Sequence, residues 1–310
     1  MSARAELLDD SGSAAESDEF FRSRAFLDAE GVTHTLRVET AGGAIAAPVI
    51  VREIGDSDRR DAISPYGYPG ATVTGDARPD PAEVDWSATG IVSVFLRDRA
   101  GGEPCFAGAT ERARLQVSDP GEERKSRMSD RQQIRRNERD GFAIERIDGP
   151  AAGPDDRTDY AAAYDQTMAR ANASERYLYG ADYWERLLSS PRSWLFMARA
   201  PEGGTAAGAI AVLSDGIVHY YLSGTADEHL SASPAKNLIA AVIDFAEELG
   251  APMNLGGGVA PGDSLEAFKK GFSNAELPFR THEIVCDPEA YRDLSGGRED
   301  TGFFPLYREG

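Results

Sequence analysis

The sequence predicts an α/β protein with a mixed sheet, organised as two modules in tandem. The first observation is that one order of elements, a helix followed by a strand, a turn and a second strand, occurs at residues 19–54 and again at 182–213. The second is that strands and helices alternate from Gly216 to the last predicted strand. The third is the turn-rich stretch "GPAAGPDD", which predicts a boundary near Gly149 and modules spanning 19–149 and 150–310.

Composition and charge narrow the class of protein. The 310 residues include 33 Lys and Arg against 52 Asp and Glu, for a net charge of -19. This charge opposes wholesale binding to nucleic acids or anionic membranes, because the long-range field repels polyanions. The first residues lack the apolar run of a signal peptide, and no window is apolar enough to cross a membrane, so a cytoplasmic location is predicted.

Cysteines and histidines show no pattern typical of a metal site. Cys105 and Cys286 are far apart in the sequence and form no CxxC motif. The four histidines are not spaced as metal ligands. We therefore expect no metal, no disulfide and no cysteine nucleophile.

The first module begins after an acidic segment rich in small residues. Composition predicts that residues 1–18 are disordered. The stretch "EFFRSRAFLDAEG" then has helical spacing and stops at Gly31. "THTLRVETAGGAIAAPVIVREI" predicts two strands around the turn "AGG".

The second module carries the clearest series of elements. "GIVHYYLSGTA" predicts a strand from Gly216 to about Ser223, and "SASPAKNLIAAVIDFAEELG" predicts a helix that ends at Gly250. "APMNLGGG" predicts a short strand, "DSLEAFKKGF" a short helix capped by Asp263, and "LPFRTHEIVCDP" a final strand. In such sheets ligands bind where the loops at the strand ends meet.

These motifs follow one another in an order found in one acyltransferase superfamily. The stretches "HYYLSGT", "LGGG" and "LEAFKKGF" resemble the GNAT superfamily. Together with "SPYGYPG" and "IRRNERDGF" they resemble its Fem-like branch, which has two tandem GNAT-type modules. The resemblance covers most of the chain from about Phe20. It implies an acyltransferase with its site in the cleft between the modules.

The resemblance leaves the acyl donor open. GNAT enzymes that use acetyl-CoA are similar in having a glycine-rich loop before the helix that follows the long strand, where backbone N–H groups hold the pyrophosphate. The equivalent stretch here, "HLSASPAKN", contains no glycine. This favours the Fem-like interpretation, in which aminoacyl-tRNA is the co-substrate, no further cofactor is needed, and an amide forms on a small-molecule or peptide amine of secondary-metabolite type. An acetyl-CoA-dependent N-acetyltransferase and a non-catalytic binding module are the alternatives.

The motif "FKKGF" contains the predicted catalytic residue. Acyl transfer to an amine passes through an oxyanion, which a lysine ammonium in a partly dry site can stabilise. Lys270 follows Glu266 by four residues, the spacing of a surface ion pair. Lys269 lies beside the apolar face and matches the lysine of the Fem motif, so we predict that it is catalytic. Its alternative role is that of a last-turn cation whose stem covers apolar surface.

Aromatic and amide side chains near strand ends and in one loop are the predicted contacts for the substrate. For each of them a structural role is the alternative: core packing for one tyrosine of "HYYLSGT", a plain glycine turn after "MNL", and packing for the loop "DAISPYGYPG". The predicted substrate-binding residues are Phe268, Tyr220, Tyr221, Asn254, Tyr66 and Tyr68.

Basic residues in two places are predicted to contact the phosphates of the donor. Between Glu122 and Ile144 the chain carries seven basic and five acidic residues, unlike the acidic remainder. The predicted tRNA contacts there are Arg131, Arg135 and Arg136, with a solvated helix laced by ion pairs as the alternative. Lys236 lies in the first turn of its helix, where a bound phosphate would remove the conflict between its charge and the helix dipole.

Overall fold

The computed structural model describes residues 3–258, 260, 262–299 and 301–309. The chain divides into two compact units, one formed by Met1–Ala113 with Pro278–Gly310 and the other by Arg114–Leu277. This division does not coincide with the predicted boundary near Gly149. Strand pairing over long sequence distances decides which segments belong together, and the turn-rich "GPAAGPDD" signals a local turn alone.

The first unit is a mixed β-sheet with two short helices. The strands are β1 (Ala3–Leu8), β2 (His34–Thr40), β3 (Gly43–Glu53), β4 (Arg60–Ile63), β5 (Thr72–Gly75), β6 (Val84–Asp85), β7 (Ser93–Arg97) and β14 (Ala275–Val285), and the helices are α1 (Arg24–Ala29) and α7 (Pro288–Ser295). The strand order is β6-β1-β2-β3-β4-β7-β14, and β5 pairs with β3. The pairs β1–β6 and β4–β7 are parallel, and the other pairs within this order are antiparallel.

The N-terminal segment corrects one prediction. Residues 3–18 are ordered, while Met1 and Ser2 lie outside the described residues. Strand β1 pairs antiparallel with β2, with Leu7 opposite Leu36, and Ala5 is buried in the core of the unit. The Asp10 carboxylate then accepts hydrogen bonds from the backbone N–H groups of Gly12 and Ala14, at 3.0 and 2.8 Å. The predicted disorder is therefore wrong for residues 3–18, because composition alone does not register a distant strand partner.

The second unit is a mixed sheet between helices. The strands are β8 (Thr110–Ser118), β9 (Ala143–Asp148), β10 (Ser193–Arg199), β11 (Thr205–Ser214), β12 (Ile217–Thr225) and β13 (Met253–Gly256). The strand order is β8-β13-β12-β11-β10-β9, in which β12 and β13 are parallel and the other neighbours are antiparallel. The helices are α2 (Met128–Arg139), α3 (Pro154–Arg170), α4 (Ala181–Leu188), α5 (Ala235–Glu248) and α6 (Ser264–Lys269). The predicted α/β class with a mixed sheet is confirmed.

Small residues on β11 and β12 allow helices to approach both faces of this sheet. Ala209 and Ala211 share a core cluster with the apolar stripe of α5. Gly224, on β12, faces α3 so closely that an added Cβ would lie 2.4 Å from the Tyr164 backbone. Successive side chains of a strand point to opposite faces, so α5 and α3 cover opposite sides of the sheet. Among the described residues, no helix combines the length and apolar character that a membrane span requires.

Candidate functional site

Two parallel strands of the second unit define the edge where the candidate site is built. Val218 and His219 of β12 lie opposite Met253 and Asn254 of β13. Beyond this pair, β12 has an irregular register, since Ile210 faces Leu222 while Ala211 faces Tyr220, which leaves one extra residue in β12. Bulges of this kind are common beside binding sites, and the carboxyl ends of parallel strands are where α/β proteins hold ligands.

A buried polar pair shapes the loop that follows β13. Asn254 is 1% exposed, its Nδ2 lies 3.1 Å from Nδ1 of His219, and its Oδ1 accepts a hydrogen bond from the backbone N–H of Gly256 at 2.7 Å. Burial lowers the pKa of His219 to about 4, so the imidazole is neutral at pH 7. Asn254 thus links His219 to the loop after β13, and its contact with a substrate stays a prediction.

Helix α6 brings the predicted catalytic lysine to this loop. Asp263 caps the helix by accepting a hydrogen bond from the Glu266 N–H at 2.7 Å, as predicted. Half-buried Lys269 donates from Nζ to the carbonyl oxygen of Gly257, the residue directly after β13, at 2.7 Å. Burial lowers the pKa of Lys269 to about 8, against a smaller opposing effect of the Asp263 carboxylate. The amine is therefore shielded but still mostly protonated at pH 7.

The neighbouring lysine has a different environment, as the spacing predicts. Lys270 Nζ lies 2.6 Å from Glu266 Oε1 at the surface, which confirms the predicted ion pair. Its hydrogen bond to Glu266 raises the pKa of Lys270 above its usual value. The two adjacent lysines thus differ in burial, partner and direction of pKa change.

Two glycines near α6 occupy positions with no room for a side chain. A Cβ on Gly258 would lie 2.5 Å from Oδ1 of Asp263, and a Cβ on Gly271 would lie 2.9 Å from Oδ2 of Asp130. Contacts this short would displace the capping carboxylate or the Asp130 carboxylate. The glycines therefore allow the Asp263 carboxylate to approach the backbone at Gly258 and the Asp130 carboxylate to approach it at Gly271.

Asp130 links α2 to α5, and sequence reasoning did not single it out. Its carboxylate is 5% exposed and lies 2.9 Å from Nζ of Lys236, in the first turns of α2 and α5 respectively. Arg127, directly before α2, donates to the Ala267 carbonyl of α6 at 2.6 Å. The conflict between Lys236 and the helix dipole is thus offset by Asp130, and the donor-phosphate role of Lys236 stays a prediction.

The opposite side of α2 presents the predicted arginines to solvent. Arg131, Arg135 and Arg136 are exposed, and the last two line an open groove of about 480 Å³ together with Arg139. Arg131 donates to the Ser126 carbonyl, and Arg136 forms a long ion pair of 3.5 Å with Asp140. For Arg135 and Arg139 the described residues offer no carboxylate within 4.0 Å. Part of this positive face is therefore available to an anionic ligand.

Comparison with known proteins identifies one family for the segment that contains these residues. Residues 124–270, which begin at Arg124 and end at Lys270, match the family model described as an acetyltransferase (GNAT) domain. This segment of the chain is therefore similar to GNAT acyltransferase domains. No curated protein sequence matches the chain.

Solved structures share the fold of most of the chain at low identity. The crystal structure of FemX is 11% identical, with a TM-score of 0.61 over 93% of this chain and 99% of that one. A second is the C-terminal domain of a protein described as a lysylphosphatidylglycerol synthetase from Agrobacterium fabrum, 15% identical, with a TM-score of 0.55 over 89% and 90% of the two chains. A third, L-PGS from Bacillus licheniformis, is 12% identical, with a TM-score of 0.51 over 82% and 84%. The predicted resemblance to the Fem-like branch is confirmed at the level of the fold.

Two predicted aromatic residues within the matched segment pack against one core cluster. Tyr220 and Phe268 both pack against the core cluster under α5, and the Phe268 ring lies 5.7 Å from that of Phe272. Burial raises the pKa of Tyr220 to about 12, which keeps its hydroxyl neutral. The hydroxyl of half-buried Tyr221 is shielded from solvent. These positions place Tyr220 and Phe268 beside one cluster, and their contact with a substrate stays a prediction.

The two predicted loop tyrosines belong to the first unit, outside the GNAT match. The ring of Tyr68 makes edge contacts with Phe21 and Phe279, at centroid distances of 5.7 and 5.3 Å. Tyr66 is 38% exposed, and its backbone N–H donates to the Glu30 carboxylate at 2.9 Å. Tyr68 thus has a packing role within its own unit, and a substrate role for either tyrosine stays a prediction.

Proposed function

We propose that the protein transfers an aminoacyl group from aminoacyl-tRNA to the amine of a small molecule or peptide, with Lys269 stabilising the oxyanion. The observation that carries the proposal is the shielded ammonium of Lys269, held at the end of β13 by the Gly257 carbonyl at 2.7 Å. A preorganised cation in a partly dry site stabilises developing negative charge more strongly than water does. The names of two proteins with a similar fold, FemX and lysylphosphatidylglycerol synthetase, add support, since the second denotes attachment of a lysyl group.

The proposed reaction places a specific demand on the site. The acceptor amine attacks the ester carbonyl of the donor, the new N–C bond forms, and the oxygen of the carbonyl becomes an oxyanion. When the C–O bond to the ribose breaks, the amine loses a proton and the ribose hydroxyl gains one. Lys269 remains mostly protonated at pH 7, with a pKa of about 8, so its ammonium can face the oxyanion without proton transfer.

The donor is proposed to contact the exposed arginines of α2. The net charge of -19 repels a polyanion at long range, so a tRNA ligand needs a local positive surface. Arg135, Arg136 and Arg139 line one groove of the GNAT domain. Arg127, directly before α2, donates to the Ala267 carbonyl of α6. This hydrogen bond connects the helix that carries the exposed arginines to the helix that carries Lys269.

The first experiment decides the donor. Purified protein is incubated with charged tRNA and an amine or, separately, with labelled acetyl-CoA and the same amine. Amine-dependent deacylation of tRNA supports the proposal, whereas acetyl transfer with no effect on tRNA supports the acetyl-CoA alternative and overturns it. Activity with neither donor, over a panel of amines, would favour the non-catalytic module.

The adjacent lysines provide a matched pair of variants. Lys269→Ala is expected to lose turnover by roughly 100- to 1,000-fold, the usual cost of removing one oxyanion-stabilising group. Lys270→Ala removes an exposed ion pair and is expected to retain turnover. Equal turnover of the two variants would contradict the assignment of Lys269.

The arginine face has its own test. In the double variant Arg135→Glu with Arg136→Glu, tRNA binding is expected to weaken. The slope of log affinity against log salt should become shallower by roughly 0.7–0.9 for each phosphate that the variant no longer neutralises. The control is Arg186→Glu, an exposed arginine on α4. An unchanged salt slope in the double variant would place the tRNA elsewhere.

A further inference from the structure

Three side chains with metal-binding chemistry meet in the core of the first unit. Asp98 directly follows β7, His282 lies on β14, and Cys105 belongs to the loop after β7. His282 lies opposite Leu96 in the β7–β14 pair. The Asp98 N–H donates to the carbonyl of Arg280, which precedes His282 by two residues on β14. Residues two apart on a strand share a face, so the register places Asp98 and His282 diagonally on the same side.

The ligand atoms of the three residues lie close together. One ligand atom of each, the carboxylate oxygen, the sulfur and the imidazole nitrogen, lies within 4.8 Å of the other two. In a tetrahedral zinc site with bonds of about 2.0–2.3 Å, the ligand atoms are about 3.3–3.6 Å apart. Small side-chain rotations therefore suffice to bring the set onto one ion.

The pairing between Asp98 and His282 is short but not aligned. Oδ2 of Asp98 and Nε2 of His282 are 3.0 Å apart, yet neither atom has a hydrogen bond of acceptable geometry within the described residues, and both are shielded from solvent. The other carboxylate oxygen of Asp98 accepts the Cys105 N–H at 3.2 Å. These two buried polar atoms thus lie side by side without an aligned hydrogen bond, which is costly unless a further partner is present.

The charges also suit a divalent cation. Asp98, Cys105 and His282 are 1%, 5% and 2% exposed, so an uncompensated charge at this place is costly. A carboxylate, a thiolate and a neutral imidazole would together neutralise one divalent ion. Sulfur and imidazole ligands select zinc-class metals over magnesium or calcium, which prefer oxygen.

We propose that Asp98, Cys105 and His282 form a binding site for one zinc-class divalent cation. Asp98 and Cys105 also line a cavity of about 530 Å³, bordered by Gly70, Arg99 and Gly102. Three protein ligands leave the fourth position of a tetrahedral ion for water or a small ligand from this cavity. The site belongs to the first unit, whereas Lys269 belongs to the second, so the inference does not depend on the proposed aminoacyl transfer.

Cobalt binding provides the direct test. The full chain, purified without a metal-binding tag, is stripped with a chelator and titrated with Co²⁺ alone, followed by Zn²⁺. The expected result is one ion per chain, with a thiolate-to-cobalt charge-transfer band and the intense visible bands of a tetrahedral site, all removed by Zn²⁺. Absence of the charge-transfer band in the folded wild-type protein would overturn the proposal and leave a buried Asp–His pair.

The second cysteine supplies the matched control. Cys105→Ser and His282→Asn are expected to weaken Zn²⁺ binding by more than the roughly 10- to 100-fold that loss of an outer-shell partner costs. Cys286→Ser, which changes the other thiol, is expected to keep full affinity and the cobalt spectrum. Circular dichroism identifies any variant that fails to fold. If a variant does not fold, the cobalt spectrum of the wild-type protein still decides whether the site binds metal through a thiolate. Loss of the band in Cys286→Ser with its retention in Cys105→Ser would also overturn the assignment.

Discussion

Replacing Lys269 by methionine is expected to stabilise the protein while abolishing its proposed activity. The substitution keeps a long unbranched side chain and removes the shielded amine. A lysine that is kept charged at a shielded position for function costs folding stability, so its removal relieves that cost. This combination distinguishes a functional lysine from one that supports the fold.

The size of the effect follows from the pKa. Lowering the pKa of Lys269 from the usual 10.5 to about 8 corresponds to about 3 kcal/mol against the charged form in the folded state. Methionine also loses the hydrogen bond to the Gly257 carbonyl, a loss of about 1 kcal/mol. Because the half-buried amine keeps some contact with solvent, the free-energy cost of its charge is smaller than the pKa shift alone indicates. We therefore expect Lys269→Met to be about 1–2 kcal/mol more stable at pH 7.

The pH dependence gives the sign of the effect independently. Between pH 8 and 10.5 the unfolded chain holds a proton on Lys269 that the folded chain lacks, so wild-type stability from this group rises with pH over that window. Lys269→Met lacks this rise. Its advantage over the wild type is therefore fully present below pH 8 and disappears as the pH approaches 10.5.

Urea unfolding followed by tryptophan fluorescence measures this difference. Trp184 and Trp194 belong to the second unit and Trp86 to the first, so a Trp86→Phe background reports on the unit that contains Lys269. Lys270→Met, which alters the exposed partner of Glu266, is the control. Its stability relative to the wild type should not change in this way between pH 8 and 10.5. A Lys269→Met variant that is less stable at pH 7, or whose difference from the wild type is the same at pH 7 and pH 10, would refute the reasoning.

Three further predictions concern the surroundings of the site. Gly271→Ala would place a Cβ 2.9 Å from the Asp130 carboxylate, and we expect urea titration to show a loss of about 1–3 kcal/mol, while Gly180→Ala, in open space, should show little. Because burial lowers the pKa of His219 to about 4, the unfolded chain takes up its proton first, and wild-type stability should fall between pH 6.5 and 4 by up to about 3 kcal/mol. His219→Asn should lack that part of the acid slope, and an identical slope would contradict the burial argument. Asn254→Leu leaves the Gly256 N–H without its partner and should cost about 1–3 kcal/mol in the same titration, with unchanged stability as the contrary result.

Much of the second unit was predictable because its signals are local. The cap of α6 by Asp263, the left-handed Gly250 after α5 and the Glu266–Lys270 pair each involve residues within a few positions of one another. Such interactions are encoded in short stretches, since backbone geometry places neighbours at three or four residues on one helix face. The difference between Lys269 and Lys270 was accessible for the same reason.

Contacts between distant segments could not be predicted in this way. Asp130 and Lys236 pair across two helices. Strand β1 was mistaken for a disordered terminus because its partner β2 follows only after α1. The burial of Asn254 beside His219 likewise depends on how β12 lies beside β13.

Local sequence signals were sufficient for the α/β class, for the order of elements in the second half of the chain, and for the ion pair that distinguishes Lys270 from Lys269. Helix and strand periodicity, caps and turns are properties of neighbouring residues, so they can be recognised without coordinates. Three-dimensional contacts were needed to show where the units divide, that Asp130 compensates Lys236, and that Asp98, Cys105 and His282 meet. Cys105 and His282 are far apart in the sequence, and it is the pairing of β14 with β7 that brings His282 beside Asp98, because sheet register, unlike helix spacing, joins residues of any separation.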